Sequence, residues 1–423
     1  MLHTYAYTSL NGEFPVQLPL DPHRLLTACD WGTKTALMVN GQPFASFTME
    51  PDCNIPLTLS LFPGRNHFTF TYLSEAGRVE EYLSVFWLTS PSAIVGQGKK
   101  EFPTVALALE ELSKEDPRFP VSIYIRDGIY QEKLKIERPN ISLYGQSEQG
   151  TIIQWDDYSV KLGADGKQIG TGRTAAITVD PEAKNTSFRS LTIRNTYDRY
   201  NRPGLNTLEE RIAQGTWDIC NGSGCQAVAL KLSADRCRLC SVTLDSCQDT
   251  LYDDEGRHWL YQCTIRGDVD FIFGGGLSVY EECEIVSKDI YSFPKGYIAA
   301  PRTDIRFPVG FLFLKCSLTH TISHPKETVY LARPWRQDGF AAFVSCYMAE
   351  HIKTEGYTNF PSGNHYSYAD KARFWEADCY GAGAKKSLTR PVMEYEQYML
   401  FTKETVFSEQ NGYFEERWTP EKE

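Results

Sequence analysis

The sequence predicts an all-β chain: a right-handed parallel β-helix over residues 91–423, preceded by a small β-sandwich-like domain over residues 1–90. Three observations carry this expectation. Short apolar runs recur from about residue 120, helical patterns are scarce, and in run after run a cysteine stands two residues before another apolar residue. The runs are RLCSVTL with Cys240, YQCTI with Cys263, EECEI with Cys283, LKCSL with Cys316 and VSCYM with Cys346, at steps of 23, 20, 33 and 30 residues. Strands recurring at such a period stack as coils of a solenoid, and the longer steps are coils carrying loops.

In chain order, VNGQPF (39–44) holds a hairpin Asn-Gly, FPGRN (62–66) reads as a turn and HFTFTYL (67–73) alternates as a strand. LTSPSAIVGQGKKEF (88–102) reads as a connection, and TVALALEELSKED (104–116) as a helix, apolar at helical spacing. An open coil end is a sheet edge that needs covering, so the N-terminal β domain has a physical motive to cap the solenoid.

The repeated cysteines read as an interior ladder of small apolar side chains. No CxxC pair or Cys/His cluster suggests a metal, and His320 and His324 in HTISH lack the glutamate of a zincin. No metal and no cofactor are expected. The first residues, MLHTYAYTSLNGEF, carry neither a basic nor an apolar leader region, so the twelve cysteines are expected as reduced thiols in a cytoplasmic protein, unless another route exports it. A formal charge of −11 disfavours nucleic-acid and anionic-membrane partners, and no run approaches a membrane span.

The stretch GDVDFIFGGG (267–276) sets an aspartate, Asp270, inside an apolar strand. A buried charge needs partners, because its desolvation costs several kcal/mol. Gln248 lies 22 residues before Asp270 and Gln226 another 22 before that. Residues one coil apart lie ~4.8 Å apart on one face. A coil of that length stacks Gln226, Gln248 and Asp270 in a column, with Asp249 brought beside it by a strand end or bulge. Two close carboxylates cannot both ionise comfortably, so one is expected to keep its proton. Amides donating to an oxyanion beside a carboxylate nucleophile and a second carboxyl are the parts of an acyl-transfer site. The bland alternative is that these residues decorate turns. Their shared register favours the site.

The same residues carry a family resemblance. CQAVAL (225–230), CQDTLYDDEGRHWLYQCTIRGDVDFIFGG (247–275) and YLARPW (330–335) resemble the signature segments of bacterial-type pectin methylesterases. AIVGQGKKEFPTVALAL (93–109), DGIYQEKLKI (127–136), ISLYGQ (141–146), Asn195-Thr196, GYIAAPRT (296–303), GFLFLKCSL (310–318) and, loosely, FWEADCYGAGA (374–384) extend it over about three-quarters of the chain. The resemblance implies Asp270 as nucleophile, Asp249 as general acid/base, Gln226 and Gln248 as oxyanion donors, and Arg333 as the residue orienting Asp270. It implies Trp335, Thr171, Tyr252, Val269 and Phe273 near the sugar. The expected reaction is hydrolysis of C6 methyl esters of galacturonate in pectin or methylated oligogalacturonides, releasing methanol.

Two departures from the pattern stand out. Asp268 occupies a position where many plant members carry threonine, and reads as a solvated strand-entry residue. The segment 197–224 is longer than is typical and reads either as a wall or lid with Tyr197, Tyr200 and Trp217 as sugar-stacking residues, or as a surface loop with a short helix. Competing readings are a pectate lyase or polygalacturonase on the same fold, an esterase or thioesterase acting on a non-pectin ester, and a non-catalytic oligomer-binding protein. Lyases need calcium-binding acidic clusters, which the sequence lacks, and a pure binding module has no need of both Asp249 and Asp270.

Overall fold

A computed structural model describes residues 2–7, 13–19, 34–40, 42–48, 54–74, 77–200, 209–210, 224–291, 294–362, 365–410 and 412–420. From residue 93 onward the strands pair in parallel with the equivalent strand of the next coil, forming a parallel β-helix, apart from the antiparallel pair Phe360–Ser362 and His365–Ser367. One seven-stranded parallel sheet runs through Leu134–Ile136, Ile177–Val179, Leu230–Leu232, Leu251–Asp253, Val269–Gly274, Gly296–Pro301 and Val329–Ala332. A sixteen-stranded sheet supplies the other walls.

The sheets coil because the apolar residues fall in register. Leu134, Ile177, Leu230, Leu251, Ile272, Ala299 and Ala332 pair one to the next along the seven-stranded sheet, all buried in a single core. Their neighbours Lys231, Tyr252 and Phe273 occupy the next register positions and form an outward row. This alternation gives one sheet a dry inner face and an outer face free for chemistry.

The cysteine ladder exists, with one correction. Cys263, Cys283, Cys316 and Cys346 are buried in the core, and Cys379 continues the row, since Tyr347 and Tyr380, the residues after Cys346 and Cys379, bridge in parallel. Cys240 does not belong to it. It pairs with Tyr261, so Val242 is the residue in line with Cys263, and Cys240 faces a second apolar cluster outside the solenoid. Immediately before each ladder position a non-glycine residue takes the left-handed conformation: Ser190, Ser241, Gln262, Glu282, Lys315, Ser345 and Asp378, all at φ of 51–54°. Each costs roughly 1 kcal/mol. Their recurrence at one corner of successive coils marks the bend that turns the chain from one wall to the next.

The helix forms as Val105–Leu112, with the Thr104 hydroxyl accepting from the Leu107 N–H and the Glu132 carboxylate accepting from the N–H groups of Val105 and Ala106. Val105, Ala108 and Leu112 join the core beside Ala93 and Val95, so this helix covers the first coil. The Asn-Gly hairpin also forms: Lys34–Val39 pairs antiparallel with Gln42–Thr48, and Asn40 stands at φ 50°. Five N-terminal strands make one sheet, and Glu13–Pro19 pairs with Asn54–Ser60 in another. Phe86 stacks on Tyr144, and Arg65 reaches Gln262, tying this part to the coils.

The C-terminal residues pack on the outer side of the sixteen-stranded sheet, where Val406 and Phe407 lie buried with Trp259, Val279 and Leu312. Arg257, fully buried, donates to the carbonyls of Phe407, Ser408 and Glu416 and pairs with Asp235. Among the described residues eight cysteines are free thiols, while Cys225 is disulfide-bonded, a departure from the expectation of reduced thiols throughout. Among the described residues no helix is long and apolar enough to cross a membrane.

Candidate active site

Asp270 escapes burial in the core through a bulge. Against Gly296–Pro301 the register slips between Val269 and Ile272, and Asp270 takes φ 51°. Phe271 and Ile272 are then both in the core, which breaks strict alternation and leaves Asp270 outside it. Phe271 fits because position 267 is glycine: a Cβ there would lie 2.2 Å from the Phe271 Cβ. The strand is a rigid support for a carboxylate that is only 6% exposed.

Asp249 is held in a matching way. It too is left-handed, at φ 66°, and its N–H donates to the Val269 carbonyl at 3.0 Å. The register Leu251 to Ile272, a step of 21, makes Asp249 the counterpart of Asp270 one coil earlier. The expected 22-residue column is thereby corrected. Gln226 and Gln248 do pair directly, but the coil shortens by one residue beyond them, so Asp270 lines up with Asp249. Burial first, then the charges of Asp270 and Asp268, push the Asp249 carboxyl well above the usual carboxylate range, with Arg333 and Arg199 opposing.

Arg333 closes on Asp270 as a fork, Nε to Oδ1 at 2.7 Å and Nη2 to Oδ2 at 2.5 Å. Its guanidinium lies over the rings of Tyr297 at 3.8 Å and Phe360 at 4.5 Å, which hold the fork in one plane. Gln226 has its side-chain oxygen occupied by the Ser159 hydroxyl and the Gly224 N–H, so its NH₂ remains available to donate. Asn195 clamps the loop that carries Ser159. Its amide donates to the carbonyls of Asp157, Thr174 and Val228.

Beside the carboxylates an aromatic wall forms. Tyr252 stacks on Phe273 at 4.4 Å, and Trp335 lies 5.8 Å from Phe273 and 6.3 Å from Tyr252. Lys231 and Arg302 flank it, 4.8 Å over Tyr252 and 5.5 Å over Trp335. Thr171 begins a single 3₁₀ turn, Thr171–Arg173, whose Gly172 faces the Tyr252 ring. Val269, half-buried, pairs with Tyr297. All ten residues singled out from the sequence therefore lie on or beside this one sheet.

Other expectations change. Asp268 is not solvated: it is 3% exposed and ion-paired with Arg199, itself buried. The reason is the segment after Asn195, which delivers a cation that sequence spacing does not reveal. Tyr197 is buried against Tyr158, with rings 4.4 Å apart, and does not present a face to a sugar. Tyr200 packs edge-on against Tyr291 at 5.3 Å, and Trp217 lies outside the described residues. Tyr297, Phe360, Lys231 and Arg199 were missed from sequence. Only Tyr297 left a signal, as an aromatic in GYIAAP one coil after Val269.

Comparison with known proteins agrees with this picture. The Pectinesterase family model matches residues 216–407. Pectinesterase QRT1 of Arabidopsis thaliana is 34% identical over 273 residues, and the match spans 63% of this chain and 63% of that protein. Pectinesterase A of Dickeya dadantii is 31% identical over 361 residues, spanning 78% of this chain and 92% of that protein. The structure of pectin methylesterase PemA from Erwinia chrysanthemi superposes with a TM-score of 0.69 at 28% identity, over 79% of this chain and 99% of that one. A pectin methylesterase in complex with a hexasaccharide superposes to the same extent. The chain belongs to the pectinesterase family of carboxylic ester hydrolases.

Proposed function

We propose that the chain is a pectin methylesterase that hydrolyses C6 methyl esters of galacturonate by covalent catalysis from Asp270. One observation carries this reading: two buried carboxylates at equivalent positions of adjacent coils, one forked by Arg333 and the other, Asp249, pushed by burial and the nearby Asp270 well above the usual carboxylate range. An Asp270 oxygen attacks the ester carbonyl carbon. The oxyanion that forms is stabilised by the amides of Gln226 and Gln248. As the tetrahedral adduct collapses, Asp249 gives its proton to the methoxy oxygen and methanol leaves, with a mixed anhydride remaining on Asp270. Asp249, now a carboxylate, takes a proton from water as that water attacks the anhydride. The galacturonic acid that forms gives its remaining proton to solvent and leaves as its carboxylate, and both aspartates return to their starting states.

The wall of Tyr252, Phe273 and Trp335 suits the apolar faces of a sugar ring, with Thr171 and Val269 at its margins. Residues 1–90 serve as an accessory β unit braced on the coils through Phe86 and Arg65. A methanol-release assay on pectin and on methylated oligogalacturonides tests the reading, with Asp270→Asn alongside. Wild-type release and a loss of roughly three orders of magnitude or more in the variant are expected. Unsaturated products or new reducing ends without methanol would overturn it in favour of a lyase or a polygalacturonase.

A further inference from the structure

Among its described residues, the segment after Asn195 reaches the entry of the catalytic strand at a buried ion pair. Asn195 Oδ1 accepts the Tyr197 N–H at 3.0 Å, and the Tyr197 ring packs on Tyr158. Two residues on, the Arg199 guanidinium pairs with Asp268, with side chains only 7% and 4% exposed. The same Asp268 oxygen that takes Arg199 also accepts the Val269 N–H at 2.6 Å. The Asp268 main chain is fixed as well: its N–H donates to the Cys247 carbonyl, and its carbonyl accepts the Tyr297 N–H. Asp268 thus sits at the mouth of the bulge that throws Asp270 outward, across from the turn that carries Asp249.

We propose that Arg199 is a positioning residue for the esterase reaction, acting through Asp268 to hold the turn into Asp270 and to balance the charge felt by Asp249. This rests on the functional reading above. The geometry supplies two reasons. A left-handed aspartate persists only where its surroundings over-determine it, and the Asp268 carboxylate fixes the main-chain N–H of Val269, the residue directly before Asp270. A buried carboxylate without a cation would add a second negative charge beside the catalytic pair, and Arg199 cancels it.

The charged groups facing Asp249 are Asp270 and Asp268 from the following coil, Arg333 from beyond Val329–Ala332, and Arg199 from the inserted segment. The Cys247 thiol, two residues before Asp249, is itself pushed up by burial. The two members of the ion pair act on Asp249 with opposite sign. Removing Arg199 leaves Asp268 bare and makes loss of the Asp249 proton harder. Neutralising Asp268 leaves Arg199 bare and makes it easier.

The test is the alkaline limb of the pH profile of methanol release, which follows loss of the Asp249 proton. Arg199→Met is expected to move that limb up by roughly one pH unit, and Asp268→Asn to move it down by about as much. The double variant is expected to return to the wild-type position, and Arg199→Lys to stay near it. A purely structural role predicts lower kcat or Tm with the limb unmoved. Limbs that stay in place, or that shift in one direction for both single variants, overturn the proposal. If Arg199→Met does not fold, Asp268→Asn against Arg199→Lys decides by the same criterion. The Asp249 titration is also read without substrate, from the pH dependence of unfolding in each variant minus that of the same variant carrying Asp249→Asn. A chain inactive on every methyl ester therefore refutes the function while this second readout still decides the role of Arg199.

Discussion

Arg333 grips both oxygens of Asp270 in a bidentate fork, from a position two coils further along the solenoid and sandwiched between Tyr297 and Phe360. Lysine at this position keeps a charge but offers no planar fork to match a carboxylate and stacks less well on two rings. Arg333→Lys is expected to lower kcat by about a hundredfold with a smaller effect on KM, since misplacing a reacting group costs that much. Steady-state kinetics on a methylated oligomer measure the split.

Asp249 gives a pH-dependent stability whose sign runs opposite to the usual carboxylate. Its folded-state carboxyl holds its proton well above the unfolded value near ~3.9. Its contribution is fully present below that value and is lost as pH rises through the folded pKa, at up to ~1.4 kcal/mol per pH unit while only the folded state keeps the proton. Asp249→Asn should therefore unfold at higher denaturant than wild type at neutral pH while losing methanol release. Urea titrations across pH 4 to 9 check both signs; a variant less stable than wild type at every pH would falsify the assignment.

The two glutamines are expected to fail in kcat rather than in binding. Gln226→Ala and Gln248→Ala each remove an oxyanion donor and should each cost about 10²–10³ in kcat. Gln226→Ala also strips the Ser159 hydroxyl and the Gly224 N–H of their acceptor. It should therefore lower Tm, whereas Gln248→Ala should not. Comparing the two melting curves separates anchoring from chemistry.

Trp335 belongs to the aromatic wall of Tyr252 and Phe273. Trp335→Ala should raise KM by up to about tenfold, the worth of one aromatic contact, and leave kcat within a few-fold of wild type. Kinetics on short methylated oligomers provide the check.

Arg257 carries no catalytic duty but ties the C-terminal residues to the outer sheet through three carbonyls. Arg257→Ala removes the guanidinium donors to those carbonyls and the cation paired with Asp235. It should destabilise by about 3–5 kcal/mol, read as a lower denaturation midpoint, with kcat per folded molecule unchanged.

What the sequence determined by itself was periodic and compositional. Apolar residues at coil-length steps, with Cys263, Cys283, Cys316 and Cys346 among them, are enough to require a stacked interior, and Asn40-Gly41 names a turn through local chemistry alone. The residue types in GDVDFIFGGG and CQDTLY likewise point to a paired-carboxylate site. Only the tertiary structure decided the register. The Gln226–Gln248 step is 22 and the Leu251–Ile272 step is 21, so a one-residue change in coil length pairs Asp270 with Asp249 instead of Gln248. Such a change arises from a bulge and from left-handed residues that are not glycine, and Ser241, Glu282 or Lys315 give no local sign of adopting that conformation. The same holds for Asp268. Its neighbours in sequence suggest solvent, and the cation that buries it comes from Arg199, 69 residues earlier, delivered by a segment whose path depends on packing rather than on pattern.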